Sequence, residues 1–167
     1  MTAFLVLTLF PSLVILAGVN DLFTMRIPNW ISLALFAGFV VMAPMVGLGL
    51  EEGAMHLLTG GLVLAAGFLL FARGILGGGD AKLMAICALW LGWPQTLPFL
   101  LITGVVGGGL ALAFLAARKY PLPASLAAQA WVQRLMAPGG GIPYGIAIVA
   151  GAMAVYPDSV WMQNLAT

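Results

Sequence analysis

From Leu83 to Ala117 the chain runs without one charged side chain. That is far more than the roughly 20 apolar residues one bilayer crossing needs, so the stretch predicts two passes. Gly92-Trp93-Pro94-Gln95 lies in its middle and supplies a chain breaker together with an aromatic suited to the membrane interface. The rest of the sequence agrees. Only 7% of residues are charged and 63% are hydrophobic, whereas a soluble domain carries about a quarter charged residues. This balance excludes a soluble globular domain, a disordered chain and a basic nucleic-acid binder, so no nucleic-acid partner is expected. The lone Cys87 excludes a disulfide framework and a multi-cysteine metal site.

Apolar runs at 4–19, 30–48, 57–72, 83–93, 97–117 and 142–156 predict an all-α integral membrane protein. The expected architecture is one domain over 1–167, a bundle of about six transmembrane helices in a lipid bilayer. Residues 4–19 read as a retained span and not a signal peptide. No Lys or Arg precedes them, and no small-residue cleavage pattern follows. With six spans, Arg26, Arg73, Lys82, Arg118, Lys119 and Arg134 all fall on one side of the membrane. Glu51, Glu52, His56 and Asp158 fall on the other, in turns and a tail. The positive-inside rule makes the first side cytoplasmic and predicts a multi-pass inner-membrane protein with both termini outside.

Two features concern packing. Residues 124–136 read as a helix lying in the cytoplasmic interface, with Ala124, Ala127, Ala128, Trp131 and Leu135 on its apolar face. Gly61-x-x-x-Ala65, Gly104-x-x-x-Gly108 and Ala147-x-x-x-Gly151 are small-residue patterns that let helices approach closely in lipid.

Polar groups at membrane depth are costly and mark function by default. Asp21, at the end of the first span, and Asp80, at the start of the fourth, are separated by two spans, so both return to the cytoplasmic end. Two carboxylates meeting there are what water-activating peptide hydrolysis needs. Close together they share a proton, one serving as base on water while the other polarises the scissile carbonyl. Gly77, Gly78 and Gly79 remove side chains on the approach to Asp80, leaving room for a substrate backbone. Other readings stay open. Asp80 can serve as a helix N-cap, Asp21 as an interfacial turn residue beside Arg26, and Lys82 as a membrane anchor. His56 reads as a loop residue and Cys87 as packing. A non-enzymatic transporter or scaffold with a two-aspartate cation site is the competing class.

Asp21 followed by Arg26-Ile27-Pro28-Asn29, then Gly77-Gly78-Gly79-Asp80-Ala81-Lys82-Leu83, and later Ile142-Pro143-Tyr144-Gly145, resembles the type IV prepilin peptidases. The Gly-x-Gly-Asp element is shared with the wider class of intramembrane aspartyl proteases. The likeness runs from about Val14 to Gly151. It implies a membrane-embedded aspartic endopeptidase that cuts the basic leader from prepilin-like substrates at the cytoplasmic face, without a cofactor or metal. Asp21 and Asp80 correspond to the catalytic pair, with Gly77, Gly78, Gly79, Lys82, Arg26, Pro28 and Asn29 supporting. Lys82 or Arg26 is expected to receive the Glu that follows the cleavage site in the family's substrates. Larger members carry a cytoplasmic extension with paired Cys-x-x-Cys and methylate the new amino terminus. Here the first aspartate comes at position 21, which implies the short peptidase-only form of Flp/Tad pilus systems. An archaeal preflagellin peptidase shares the same motifs.

Overall fold

The computed structural model describes residues 2–121 and 123–166. Among them all regular structure is helical: α1 (Thr2–Thr24), α2 (Asn29–Met45), α3 (Leu50–Ala72), α4 (Gly78–Ala117), α5 (Ala124–Ala127), α6 (Ala130–Met136), α7 (Gly145–Val155), a 3-10 turn (Tyr156–Asp158) and α8 (Val160–Ala166). Four stretches are long and apolar enough to cross a bilayer: Phe4–Thr24, Leu50–Ala72, Gly78–Ala117 and Gly145–Asn164. The apolar α2 is shorter, at 17 residues.

α4 is not one rod. Gly92 has φ 73° and ψ 175°, a conformation open essentially to glycine alone. There the chain reverses. Met84 and Ala111 line one cavity, although a straight helix would hold them about 40 Å apart. The expected breaker at 92–95 is therefore a hairpin. Its first arm, Gly78–Leu91, begins earlier than the expected 83 and rises about 21 Å, less than a bilayer core.

Other boundaries differ from expectation for physical reasons. α1 runs five residues past 19, so Asp21 sits inside a helix. α3 begins at Leu50 instead of 57, because Glu51 and Glu52 occupy its first turn, where the helix dipole favours anions. Glu52 accepts the Gly49 N–H at 3.1 Å and caps the helix, so the two exposed glutamates belong to its first turn and not to a loop. His56 is accordingly a buried helical residue, its Nδ1 2.6 Å from the Leu89 carbonyl oxygen and its ring over Gly92. It is no loop residue. The helix expected over 124–136 is broken between α5 and α6, where Gln129 is extended at φ −89°, ψ 119°. α6 buries Val132 and Leu135, Trp131 packs edge-on against Phe23, and Ala128 is exposed. The side chains of Ala124 and Ala127 lie outside the described residues.

The close-packing glycines are mostly not those the patterns marked. Gly61, Gly104 and Gly108 face open space. Gly60 packs on Ala85 and Leu89, Gly67 on Ala81, and Gly107 lies under the Tyr144 ring. Only Ala147 and Gly151 match their pattern, both buried, with Gly151 against Phe99 and Thr103.

An aromatic cluster of Phe10, Phe39, Trp90, Tyr156 and Trp161 locks one end of the bundle. Each polar edge in it is satisfied. Trp90 Nε1 donates to the Leu35 carbonyl at 2.9 Å, Trp161 Nε1 to that of Trp90, and Tyr156 Oη to that of Val6 at 2.7 Å. Leaving one such donor bare would cost about 1–3 kcal/mol, so these bonds fix which helices meet. Glu51, Glu52 and Asp158 line a cavity at the same end as His56. Arg26, Arg134 and both aspartates gather at the other. The charge asymmetry read from the sequence is thus a property of the fold.

Candidate active site

The last turn of α1 carries Asp21. Its backbone carbonyl accepts the Met25 N–H at 2.7 Å, and Met25 closes the helix in the left-handed region, φ 55°. For a residue with a Cβ this costs about 1–2 kcal/mol, a strain held at the edge of the site. Asp21 is buried, and its Oδ2 accepts the Gly145 N–H at 2.8 Å. The bond ties the end of α1 to the start of α7 across most of the sequence.

Asp80 lies in the first turn of α4, three residues past the N-cap Gly77. Its carboxylate folds back beside the Gly77 backbone. It is therefore the acidic partner reaching back to the cap, not the N-cap itself. The three glycines before it are not empty space. A Cβ on Gly77 would lie 2.6 Å from Asp80 Oδ2, one on Gly79 3.3 Å from Ile27 Cβ, and one on Gly78 3.3 Å from the Phe71 ring. Their bareness first lets the chain's own carboxylate, α3 and the α1–α2 turn close on one another. All three also line a cavity beside the carboxylates.

The two carboxylates come together. Asp21, Met25, Gly77 and Asp80 line both a cavity of about 1030 Å³ and a smaller one of about 320 Å³, so the pair stands between them. The aspartates are near enough for the charge of Asp21 to bear on Asp80. Arg26, Ile27 and Asn29 complete the smaller cavity. Pro28 is the extended N-cap of α2, with φ −63° and ψ 134°, and turns the chain so that Asn29 faces the site. Lys82 stands apart. It lines neither cavity and donates to Asn29 Oδ1 at 3.0 Å, so it meets the site only through Asn29.

The larger cavity contains residues that sequence reasoning did not place there. Arg134 of α6, read from the sequence only as a cytoplasmic-side cation, lines it along with Tyr144, Met84 and Ala111. Its wall is held by Arg118. That side chain donates through Nε and Nη2 to the Leu135 carbonyl at 2.9 and 2.7 Å, and through Nη2 to that of Gly141 at 2.9 Å. Gly145 was visible only as part of a motif, and no local spacing rule signals a contact 124 residues away. Among the described residues no group of three or more His, Cys, Asp or Glu converges as a metal site.

No curated protein and no solved structure matches the chain significantly. The model of the type IV leader peptidase family matches residues 8–112, a stretch that runs from the first turns of α1 through most of α4 and includes both aspartates. With nearly two thirds of its length so matched, the chain belongs to the type IV leader peptidase family.

Proposed function

We propose that this peptidase is an aspartic endopeptidase whose reacting groups are Asp21 and Asp80. It cleaves the leader of type IV prepilin-like, Flp-class substrates at the cytoplasmic face of the inner membrane. The observation that carries the reading is the shared lining: two carboxylates from distant helices bound the same two cavities. A water held between them loses a proton to the ionised carboxylate while the protonated one donates to the scissile carbonyl. The Gly145 N–H holds one oxygen of Asp21, and the Gly77 backbone lies against the Asp80 carboxylate. They fix the orientation of the pair without supplying a competing acid or base. An N–H donor aimed at Asp21 also suits a cation poorly, which favours the peptidase over the two-aspartate ion site.

Six crossings are the companion proposal, with the Gly78–Ala117 hairpin counted as two and α2 as one. The gathering of cations at the aspartate end supports a cytoplasmic orientation for it. A substrate whose basic leader stays in the cytoplasm and whose apolar helix enters the bilayer then presents its scissile bond at the depth of the pair.

Two measurements test this reading. Activity is expected to follow a bell in pH. At low pH both carboxylates are protonated and no base remains; at high pH both are ionised and no acid remains. A chelator should leave the rate unchanged. A monotonic profile together with chelator-sensitive cleavage would favour the ion site instead. Leader release is also proposed to proceed without methylation. Of the segments joining helices at the aspartate end, 25–28 and 73–77 are too short to enclose a nucleoside cofactor, and the longer 118–144 is spent on α5, α6 and the wall of the larger cavity. Labelled methyl from S-adenosylmethionine should not appear in product made by the purified chain alone; its appearance would refute the peptidase-only assignment.

A further inference from the structure

α2 and α3 both pack on α4 but scarcely on each other. At the aromatic end they meet, through the Phe39 and His56 rings at 5.6 Å. Toward the aspartate end they diverge and leave a cleft of about 720 Å³. Leu33 and Phe36 of α2 form one wall, Leu57 and Leu64 of α3 the other, and Ala85 and Leu89 of α4 the floor. A lipid-facing wall in a bundle is ordinarily convex. This one is concave, and Gly61 lines it with open space where a side chain would project. The walls extend along about two turns of helix.

The cleft is apolar apart from Ser32 and one end, where Asn29 and Lys82 are hydrogen-bonded to each other. Asn29 also lines the smaller cavity beside Asp21 and Asp80. The apolar cleft and the carboxylate pair are therefore continuous through one residue. We infer that the α2–α3 cleft seats the first turns of the substrate's apolar helix, entering sideways from the bilayer, with Asn29 at the point where the chain leaves it for Asp21 and Asp80. The inference rests on the peptidase reading above and adds where the substrate helix docks.

The choice of occupant follows from that continuity. An acyl chain would fill the apolar walls but has no reason to end beside two carboxylates. A second copy of this chain would need a complementary ridge at the same depth as the open end. A helix that must surrender a peptide bond at its polar end satisfies both ends of the cleft. Binding energy from a part of the substrate remote from the reacting bond is then available to position that bond.

The test compares two substrates on the reconstituted enzyme: a whole prepilin-like protein, and a short peptide spanning the scissile bond without the apolar helix. Gly61→Leu fills the cleft. It is expected to lower the ratio of kcat/KM for the whole substrate to that for the peptide by about tenfold or more. Gly104→Leu, where a side chain also meets open space but outside the cleft, should leave the ratio unchanged. Because the inference is read as a ratio, a general loss of folded enzyme does not imitate it. A photo-crosslinker at Leu33 or Leu64, in enzyme carrying Asp80→Asn, should give an adduct with the whole substrate, and one at Val105 should not. An unchanged ratio with both substrates cleaved, or adducts only with lipid or with a second enzyme copy, overturns the docking site and leaves the peptidase standing. Wild-type enzyme that cleaves neither substrate overturns both.

Discussion

Asp21→Asn and Asp80→Asn are each expected to lower leader release by about a thousandfold or more. An amide neither takes a proton from water nor shares one with its neighbour. The fold should survive, because an Asn oxygen still accepts the Gly145 N–H at position 21 and an Asn at position 80 fills the same space beside Gly77. The loss should therefore appear in kcat, with protein still inserted and substrate still captured. Glu at either position should fail as well. One added methylene moves the carboxylate by about an ångström, and a displacement of that size costs about a hundredfold. Leader release is followed by the mobility shift or mass of the product in membranes that carry equal amounts of each variant.

The next largest effect is expected at a residue that takes no part in the chemistry. In Gly145→Ala the new Cβ would lie 2.9 Å from both Cβ and Oδ2 of Asp21. The first of these atoms is rooted on the α1 backbone, so it cannot swing aside. Either α7 retreats or the Asp21 carboxylate leaves its place, and in both cases the 2.8 Å bond from the Gly145 N–H is lost or bent. A misplacement near 1 Å predicts a fall in kcat of about a hundredfold. Gly108→Ala, where the added methyl meets open space, should run at the wild-type rate. Equal rates for the two alanine variants would mean that Asp21 does not need the position in which Gly145 holds it.

These two cases mark how far the sequence could be read. Asp21 and Asp80 were legible because crossing parity alone returns both to one end of a bundle, whatever the helices do between. The hairpin at Gly92 was legible because an uncharged stretch longer than one crossing must turn, and glycine and proline mark where. The helix ends were harder. Glu51 and Glu52 look like a loop when hydropathy is the guide, yet their charge suits the first turn of α3, and that misplacement carried His56 into a loop as well. Lys82 and Arg134 exchanged expectations. Both are cations on the same side, and only the path of α6 over the larger cavity distinguishes the one that faces the pair from the one held by Asn29. Glycine patterns were right about close packing and mostly wrong about register, since helix rotation decides whether Gly60 or Gly61 meets the neighbour. Contacts such as Gly145 to Asp21 depend on tertiary closure and leave no local trace.

The role of the carboxylate pair is tested most directly by one measurement. Purified enzyme is reconstituted in vesicles with a prepilin-like substrate, and the products are weighed by mass spectrometry with a chelator present, for the wild type and for Asp80→Asn. The account predicts a single peptide bond cut by the wild type, with leader and mature helix recovered as the two hydrolysis products, and intact substrate with Asp80→Asn. Cleavage by Asp80→Asn at the wild-type rate, or wild-type cleavage that disappears with the chelator, would contradict it.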